Sequence, residues 1–88
     1  MQIEESDRQD VAKRLRRIQG QLSGILKMLE EGRECEEVAT QVAAAAKALN
    51  RTGFKVVSSG MQQCFAAESE GEMDDARARL ERLFLALA

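Results

Sequence analysis

The stretch VAKRLRRIQGQLSGILKML (residues 11–29) decides the fold class of this chain. Its apolar residues recur at alternating intervals of four and three, which is the a/d spacing of a helix that packs against other helices. Gly32 is a natural stop after this pattern, so the spacing predicts helix 1 over about residues 7–31. The six apolar positions of this seam are Val11, Leu15, Ile18, Leu22, Ile25 and Leu29.

A second helical pattern follows directly. It opens with the acidic stretch 34–37, which suits a helix N-terminus, and continues through AAAAKAL (residues 43–49), a run of strong helix formers. Gly53 and Gly60 weaken it, but no proline or turn cluster separates its halves. We therefore expect helix 2 over about residues 34–67.

The third pattern begins after the polar break ESEGE (residues 68–72), and its apolar stripe predicts helix 3 over about residues 72–87. The 88 residues then form one all-α domain, spanning residues 1–88. A helix 2 of about 34 residues is about 50 Å long, and a three-helix chain of this size cannot cover both its ends. We expect helices 1 and 2 to pair antiparallel with those of a second subunit as a four-helix bundle.

Charge is segregated along the chain, although the net charge is only −2. The segment 8–17 carries five basic residues and one acidic residue, and acidic blocks at 30–37 and 68–75 balance it. Arginines on a helix are usually a solvated face, but a basic surface with few aromatic residues suits the phosphates of duplex DNA better than stacked single strands. The cations expected on this surface are Lys13, Arg14, Arg17, Arg51 and Lys55.

The composition also argues against several classes of protein. The sequence has no histidine, no nucleophile–base constellation and no glycine loop that would cradle phosphate, so we expect neither an enzyme nor a bound cofactor. No apolar run approaches the roughly 18 residues that a membrane span needs, and the first residues lack an apolar signal segment. We expect a cytoplasmic protein with no membrane partner.

The two cysteines, Cys35 and Cys64, stand near opposite ends of predicted helix 2. In a continuous helix they are about 43 Å apart, whereas a disulfide needs Cα atoms within about 7 Å. They cannot pair within one chain, but in an antiparallel dimer Cys35 would lie near Cys64 of the partner subunit. The alternative is that both are small buried hydrophobes, against which the charged neighbours of Cys35 argue.

The chain resembles a known family of bacterial regulators. The motif RLRRIQGQLSGI (residues 14–25), followed by GREC (residues 32–35), VATQVAAAAKALNRTG (residues 38–53) and Cys64, is similar to the copper-sensing operon repressor (CsoR) family over nearly the whole length. The resemblance implies an all-α, disc-shaped homotetramer, built as a dimer of antiparallel dimers. It also implies binding to double-stranded operator DNA that an effector reverses.

The resemblance also bears on individual basic residues. Arg14 and Arg51 match positions at which the family contacts DNA. Lys13, Arg17 and Lys55 are further candidates because of their expected place on the same surface.

One departure from the family pattern concerns the sensing site. The family's copper sensors carry a histidine four residues before the second cysteine, and its nickel, cobalt and formaldehyde sensors rely on the same position, which is Gly60 here. A tyrosine common before the first cysteine is replaced by Glu34. The remaining pair, Cys35 and Cys64, is similar to the persulfide-sensing branch, the CsoR-like sulfurtransferase repressors (CstR).

That branch implies that persulfide or polysulfide crosslinks Cys35 to Cys64 of the neighbouring subunit and releases the DNA. No residue is assigned as a metal ligand in this interpretation. Three alternatives stay open: Cu(I) sensing by the two thiolates, general thiol oxidation, and a helical assembly module whose cysteines are inert.

Overall fold

The computed structural model describes residues 2–66 and 68–88, without the side chains of residues 63–65. The described chain forms three helices and no strand: α1 (Glu5–Glu30), α2 (Cys35–Phe65) and α3 (Glu70–Leu87). The predicted all-α class with three helices is therefore confirmed. The predicted end of helix 2, residue 67, lies outside the described residues. None of the helices is long and apolar enough to cross a membrane, as far as the described residues go.

A glycine turn joins α1 to α2. Gly32 adopts a φ of 70°, which a residue without Cβ reaches at little cost. The Gly32 N–H donates to the carbonyl of Leu29 at 3.1 Å, and the Arg33 N–H donates to that of Met28 at 3.0 Å. This pair of hydrogen bonds is the Schellman motif, and it makes Cys35 the first residue of α2.

Ser69 fixes the start of α3. Its hydroxyl accepts a hydrogen bond from the Glu72 N–H at 3.1 Å, while the Glu72 carboxylate accepts one from the Glu68 N–H at 2.9 Å. The first bond satisfies a backbone donor of the first turn, and the second holds the residue just before the N-cap against that turn. The helix consequently begins at Glu70, two residues before the predicted start.

Contacts between the ends of α1 and α2 show that the two helices run antiparallel. The Glu4 N–H, just before α1, donates to the hydroxyl of Ser59 at 3.4 Å. One turn further along α1, Asp7 forms an ion pair of 3.5 Å with Lys55. The start of α1 therefore lies against the C-terminal half of α2.

The three helices lie side by side in one layer. α1 packs on α2 and α2 packs on α3, but among the described residues no Cα of α1 lies within 8 Å of one of α3. The layer measures 57 × 24 × 12 Å, with a radius of gyration of 17.2 Å, against about 12 Å for a compact chain of this length. Its accessible surface is 6646 Å², whereas a compact monomer of this mass exposes about 5,200 Å². A single chain thus leaves much of its apolar surface uncovered.

The apolar seam of α1 is only half covered. Every second position of the seam, namely Val11, Ile18 and Ile25, is buried. The positions three residues before Ile18 and Ile25, Leu15 and Leu22, remain 40% and 50% exposed. Because α1 contacts only α2, a second flank of α1 stays without a partner.

The apolar residues of α2 repeat this offset. Ala45 and Thr52 are buried, and Val42 and Leu49, again three residues earlier, are about half exposed. Since the two helices are antiparallel, equal offsets place both stripes on the same face of the hairpin. We call this face the outer seam, and it consists of Leu15, Leu22, Leu29, Val42 and Leu49.

Gly53 allows α3 to pack closely against the middle of α2. A Cβ at this position would stand 2.6 Å from the Leu87 Cδ2 atom. Next to it, the rings of Phe54 and Phe84 lie 5.3 Å apart at 60°, a favourable tilted arrangement. Glycine costs about 1 kcal/mol of helix stability relative to alanine. Because it has no Cβ, it permits close contact with the end of α3.

Candidate functional site

Three of the predicted basic residues lie around one cleft. Arg14 and Arg17 of α1 and Arg51 of α2 line a depression of about 120 Å³ between the two helices. We call it the arginine cleft. The other lining residues are Ile18, Gln21, Ala48 and Thr52.

The floor of the cleft explains how its arginines are held. Ile18 and Thr52 are buried, and the Thr52 hydroxyl donates to the Ala48 carbonyl at 2.9 Å within its own helix. The buried hydroxyl therefore needs no arginine as a partner. Ile18 and Thr52 form the floor, and the long side chains of Arg14, Arg17 and Arg51 lie at the exposed rim.

The arginines of the cleft differ in their charge partners. The Arg14 Nε donates to the Asp10 carboxylate one turn earlier at 2.9 Å. Within the described residues, no carboxylate oxygen comes within 4.0 Å of the charged groups of Arg17 or Arg51. These two guanidinium groups keep uncompensated positive charge at the rim, where an anion can meet it.

The remaining two predicted cations lie elsewhere. Lys55 is held by Asp7, whose side chain is only 17% exposed. Lys13 lines a separate groove on the outer side of α1, together with Arg8 and Arg16. Sequence reasoning did not single out Arg16, although its spacing of three residues from Lys13 was a usable signal. The ion pair of Asp7 with Lys55 depends on the register between α1 and α2, so no local sequence pattern predicts it.

Cys35 lies at the exposed start of α2 and forms no disulfide within the chain. Because Cys35 is exposed, it is not a small buried hydrophobe in the single chain. The position follows from the Gly32 turn, which ends immediately before it. An exposed thiol at the first turn of a helix is accessible to solutes and lies close to unpaired backbone N–H groups.

An ion-paired turn precedes Cys35. The Arg33 Nε donates to the Glu37 carboxylate at 2.8 Å, and a second carboxylate, that of Glu31, lies 3.7 Å from the guanidinium. The hydrogen bond and charge of Glu37 raise the pKa of Arg33 above its ordinary value. The same hydrogen bond and the positive charge of Arg33 lower the pKa of Glu37. The turn thus neutralises part of the acidic block around the thiol.

Cys64 lies in α2, 29 positions after Cys35, and its side chain is outside the described residues. Because α2 is continuous from Cys35 to Phe65, the two cysteines stand about 43 Å apart along the helix. A bridge within one chain is excluded by this length. Pairing of Cys35 with Cys64 of the partner subunit stays a prediction. Gly60, one turn before Cys64, is buried and offers no side-chain donor.

These features agree with a family assignment. The family of metal-sensitive transcriptional repressors matches residues 7–87, and the chain belongs to this family. It is a family of transcriptional regulators and not of enzymes. The resemblance to CsoR-type repressors, based on the 14–25 motif, is thereby confirmed at the level of the family.

Relatives of known name are similar over most of their length. The copper-sensing transcriptional repressor RicR of Mycobacterium tuberculosis is 35% identical over 79 residues, which cover 82% of this chain and 82% of RicR. The copper-sensing transcriptional repressor CsoR of Bacillus subtilis is 28% identical over 79 residues, covering 89% of this chain and 78% of CsoR. The structure of the nickel-responsive transcriptional regulator InrS superposes with a TM-score of 0.80 and 31% identity, covering 100% of this chain and 98% of InrS.

Proposed function

We propose that this protein is a repressor that binds duplex operator DNA and releases it when a reactive sulfur species crosslinks Cys35 to Cys64 of the partner subunit. The observation that carries the proposal is the exposed Cys35 thiol at the start of α2 in a chain that has no histidine. An exposed thiolate is a nucleophile toward sulfur, and no imidazole is present to complete a mixed nitrogen–sulfur metal site.

The outer seam supports a homodimer as the working unit. Five half-exposed aliphatic side chains on one face of a hairpin are more than a lone soluble chain usually leaves open. The surface in excess of a compact monomer is on the order of 1,400 Å², and a standard interface covers about 800 Å² of each partner. A second copy on this face completes a four-helix bundle.

A second apolar surface supports the step from dimer to homotetramer. On α3, Leu83, Phe84 and Leu85 are 48%, 51% and 64% exposed. They lie on a different helix from α1, which carries most of the outer seam. Each dimer thus retains an apolar surface that a second dimer can cover, which gives a dimer of dimers.

The arginine cleft supports DNA as the ligand. Arg17 and Arg51 carry charge that no described carboxylate within 4.0 Å offsets, and guanidinium groups match the geometry of phosphate oxygens. In a dimer the cleft is present twice, so two stretches of phosphate backbone are held at once. Contacts to phosphates supply most of the non-specific affinity of a protein for DNA.

The sulfur chemistry balances with a persulfide as the oxidant. The Cys35 thiolate attacks the outer sulfur of RSSH, which gives a Cys35 persulfide and releases RSH. The thiolate of Cys64 of the partner subunit then attacks the sulfur attached to Cys35 and displaces H₂S. The net reaction converts two thiols and one RSSH into a disulfide, RSH and H₂S. Each further RSSH that reacts adds one sulfur atom to the bridge and releases one more RSH.

A metal effector is the second candidate, because both named curated relatives are copper-sensing repressors. Gly60 contributes no ligand atom and the sequence contains no imidazole, so the imidazole ligands that suit Ni²⁺ are missing. Two thiolates fit Cu(I), which is soft. Cys35, with Cys64 of the partner subunit, would hold such an ion between subunits.

The experiment is intact-mass spectrometry without reductant, after the reduced protein has met a persulfide donor, hydrogen peroxide or Cu(I) in parallel. The proposal predicts a covalent dimer in the persulfide sample alone, either as a disulfide or with one added sulfur atom for each further RSSH that reacts. A Cys35→Ala variant and a Cys64→Ala variant should each remain monomeric on denaturation. Monomer mass after persulfide, together with stoichiometric Cu(I) retained under native conditions, would favour copper sensing. The same crosslink with peroxide would favour a general thiol sensor.

A further inference from the structure

We infer that α1 carries a second phosphate-binding surface, the outer track, formed by Lys13 and Arg16. The outer track binds duplex DNA that flanks the segment held by the arginine cleft. This inference rests on the proposed DNA-binding function, and it adds a site that the family assignment does not supply.

The first support is the arrangement of these cations on one helix face. Lys13 and Arg16 lie about 60° apart around α1 and both line an open groove along its first half. Arg8 lines the other side of this groove, about 140° around the helix from Lys13, and is paired with Glu5 one turn earlier. Within the described residues, no carboxylate oxygen lies within 4.0 Å of the Lys13 or Arg16 charged groups. The track therefore has two uncompensated cations about 4.5 Å apart along the helix axis.

The second support is the direction in which the track faces. At 100° per residue, Arg16 lies about 160° around α1 from Arg14, and Arg17 and Lys13 lie between them. Positive charge therefore continues around the outside of α1, from the arginine cleft to the outer track. A straight duplex seated on the cleft cannot also touch Arg16, so the flanking DNA must curve around α1 to reach it.

The third support is that the proposed assembly leaves the track open. Leu15 and Leu22 of the outer seam point about 100° and 120° away from Arg16 around the helix. A second subunit on the outer seam therefore does not cover the track. Lys13 and Arg16 are about 4.5 Å apart along α1, so the two cations can contact two phosphates of the flanking DNA.

Two exposed arginines of α3, unlike the cations of the outer track, have carboxylate partners. On α3, Arg77 lies 3.8 Å from Asp74, and Arg79 lies 3.4 Å from Asp75. Those cations are neutralised by their own helix, as is usual for a solvated face. The same charge change on α3 therefore serves as a matched control for the outer track.

The test compares a Lys13→Gln/Arg16→Gln variant with an Arg77→Gln/Arg79→Gln control and the wild type. The DNA is a duplex enriched by the wild-type protein from a random-sequence library. It is prepared at the length of the protected site and with about one helical turn, roughly 10 base pairs, added at each end. Affinity is measured by fluorescence anisotropy over a series of salt concentrations, and circular dichroism checks folding.

We expect the wild type and the control to bind the long duplex more tightly, and with a steeper salt dependence, than the short one. The outer-track variant should lose this difference, and its log Kd against log salt slope on the long duplex should fall by about 1.8 for two lost phosphate contacts. A slope equal to that of the wild type would overturn the inference, and so would equal losses on both duplexes. If the wild type binds neither duplex, the proposed function itself fails.

Discussion

The helices α1 and α3 are both rich in charge but arrange it in opposite ways. Six basic and four acidic residues give α1 a net charge of +2, whereas three basic and five acidic residues give α3 a net charge of −2. On α3, Arg77 and Arg79 lie beside Asp74 and Asp75, and Arg82 is the one basic residue of this helix without a described carboxylate within 4.0 Å. On α1, the cations at 13, 16 and 17 have no carboxylate within 4.0 Å in the described part of the chain.

This difference shows why the overall net charge of −2 is a poor guide to the partner of this protein. Paired charges on α3 present little field beyond the surface, while unpaired cations on α1 present a field that reaches a phosphate. The acidic residues of α3 and of the turn between α1 and α2 lower the net charge of the chain, but they do not weaken the positive charge of the basic surface near the cleft. Variants that change the charges of α1 and of α3 separately therefore distinguish the effect of unpaired cations from that of net charge.

The largest effect is expected from Leu22→Glu, which places a carboxylate in the middle of the outer seam of α1. A charge in the middle of the proposed subunit interface should dissociate the dimer. DNA affinity should fall at least about 100-fold, because two clefts no longer act on one duplex. Analytical ultracentrifugation gives the mass and anisotropy gives the affinity. Ser23→Glu, at an exposed neighbouring position, should keep the wild-type mass. An unchanged mass for Leu22→Glu would refute the proposed interface.

A smaller effect is expected from Arg51→Gln, which removes an uncompensated charge from the arginine cleft. Loss of one guanidinium–phosphate contact should weaken DNA binding about tenfold and reduce the salt slope by about 0.9. Arg79→Gln makes the same charge change on α3, at a residue that already has a carboxylate partner. Its affinity should stay within about twofold of the wild type. Equal losses for both variants would mean that net charge alone governs binding.

Asp7→Asn should act in the opposite direction, because it releases Lys55 from its ion pair of 3.5 Å. An unpaired lysine and one fewer carboxylate near the cleft should strengthen DNA binding about two- to fivefold at low salt. The pair is partly exposed, so its loss should cost at most about 1 kcal/mol of stability. The double variant Asp7→Asn/Lys55→Gln should show no gain in affinity, and a gain that persists in it would assign the effect to Asp7 alone.

The smallest effect concerns the turn before Cys35, which resembles α3 in pairing its charges locally. Arg33 lowers the pKa of Glu37 below 4.5. The ion pair is therefore present at neutral pH and is lost as the pH falls through that lowered pKa. In Arg33→Gln, an NMR titration of the Glu37 carboxyl should show its pKa return toward 4.5, while folding at pH 7 is retained. An unchanged midpoint would show that the contact does not persist in solution.

Much of the fold could be predicted from local sequence signals. The four–three spacing of α1 and the glycine at position 32 predicted the first helix and its turn, although α1 begins at Glu5, two residues before the predicted start. The start of α3 was placed two residues late, because the hydrogen bonds of Ser69 and Glu72 extend the helix into a stretch that reads as a polar break. Apolar spacing also could not tell which half of the seam α2 covers, since both halves consist of aliphatic residues at the same seven-residue spacing.

The candidate site was predictable only in part, for a related reason. Arg14, Arg17 and Arg51 meet because residues 14 and 51 lie opposite one another in an antiparallel hairpin, which the helix lengths imply. The pairing of Lys55 with Asp7 depends on the register between the helices, and no local pattern reports it. Lys13 lies about 40° around α1 from Arg17, as expected, but it lines the groove of the outer track and not the arginine cleft.

The proposed sulfur switch can be measured as release of fluorescently labelled operator duplex on addition of a persulfide donor. For the wild type the account predicts a rise in Kd of at least about tenfold, within the usual range of allosteric coupling, and its reversal by dithiothreitol. Cys35→Ala and Cys64→Ala should bind DNA as tightly as the reduced wild type and keep it after persulfide. Release of the DNA from either alanine variant, or release from the wild type by Cu(I) but not by persulfide, would contradict the account.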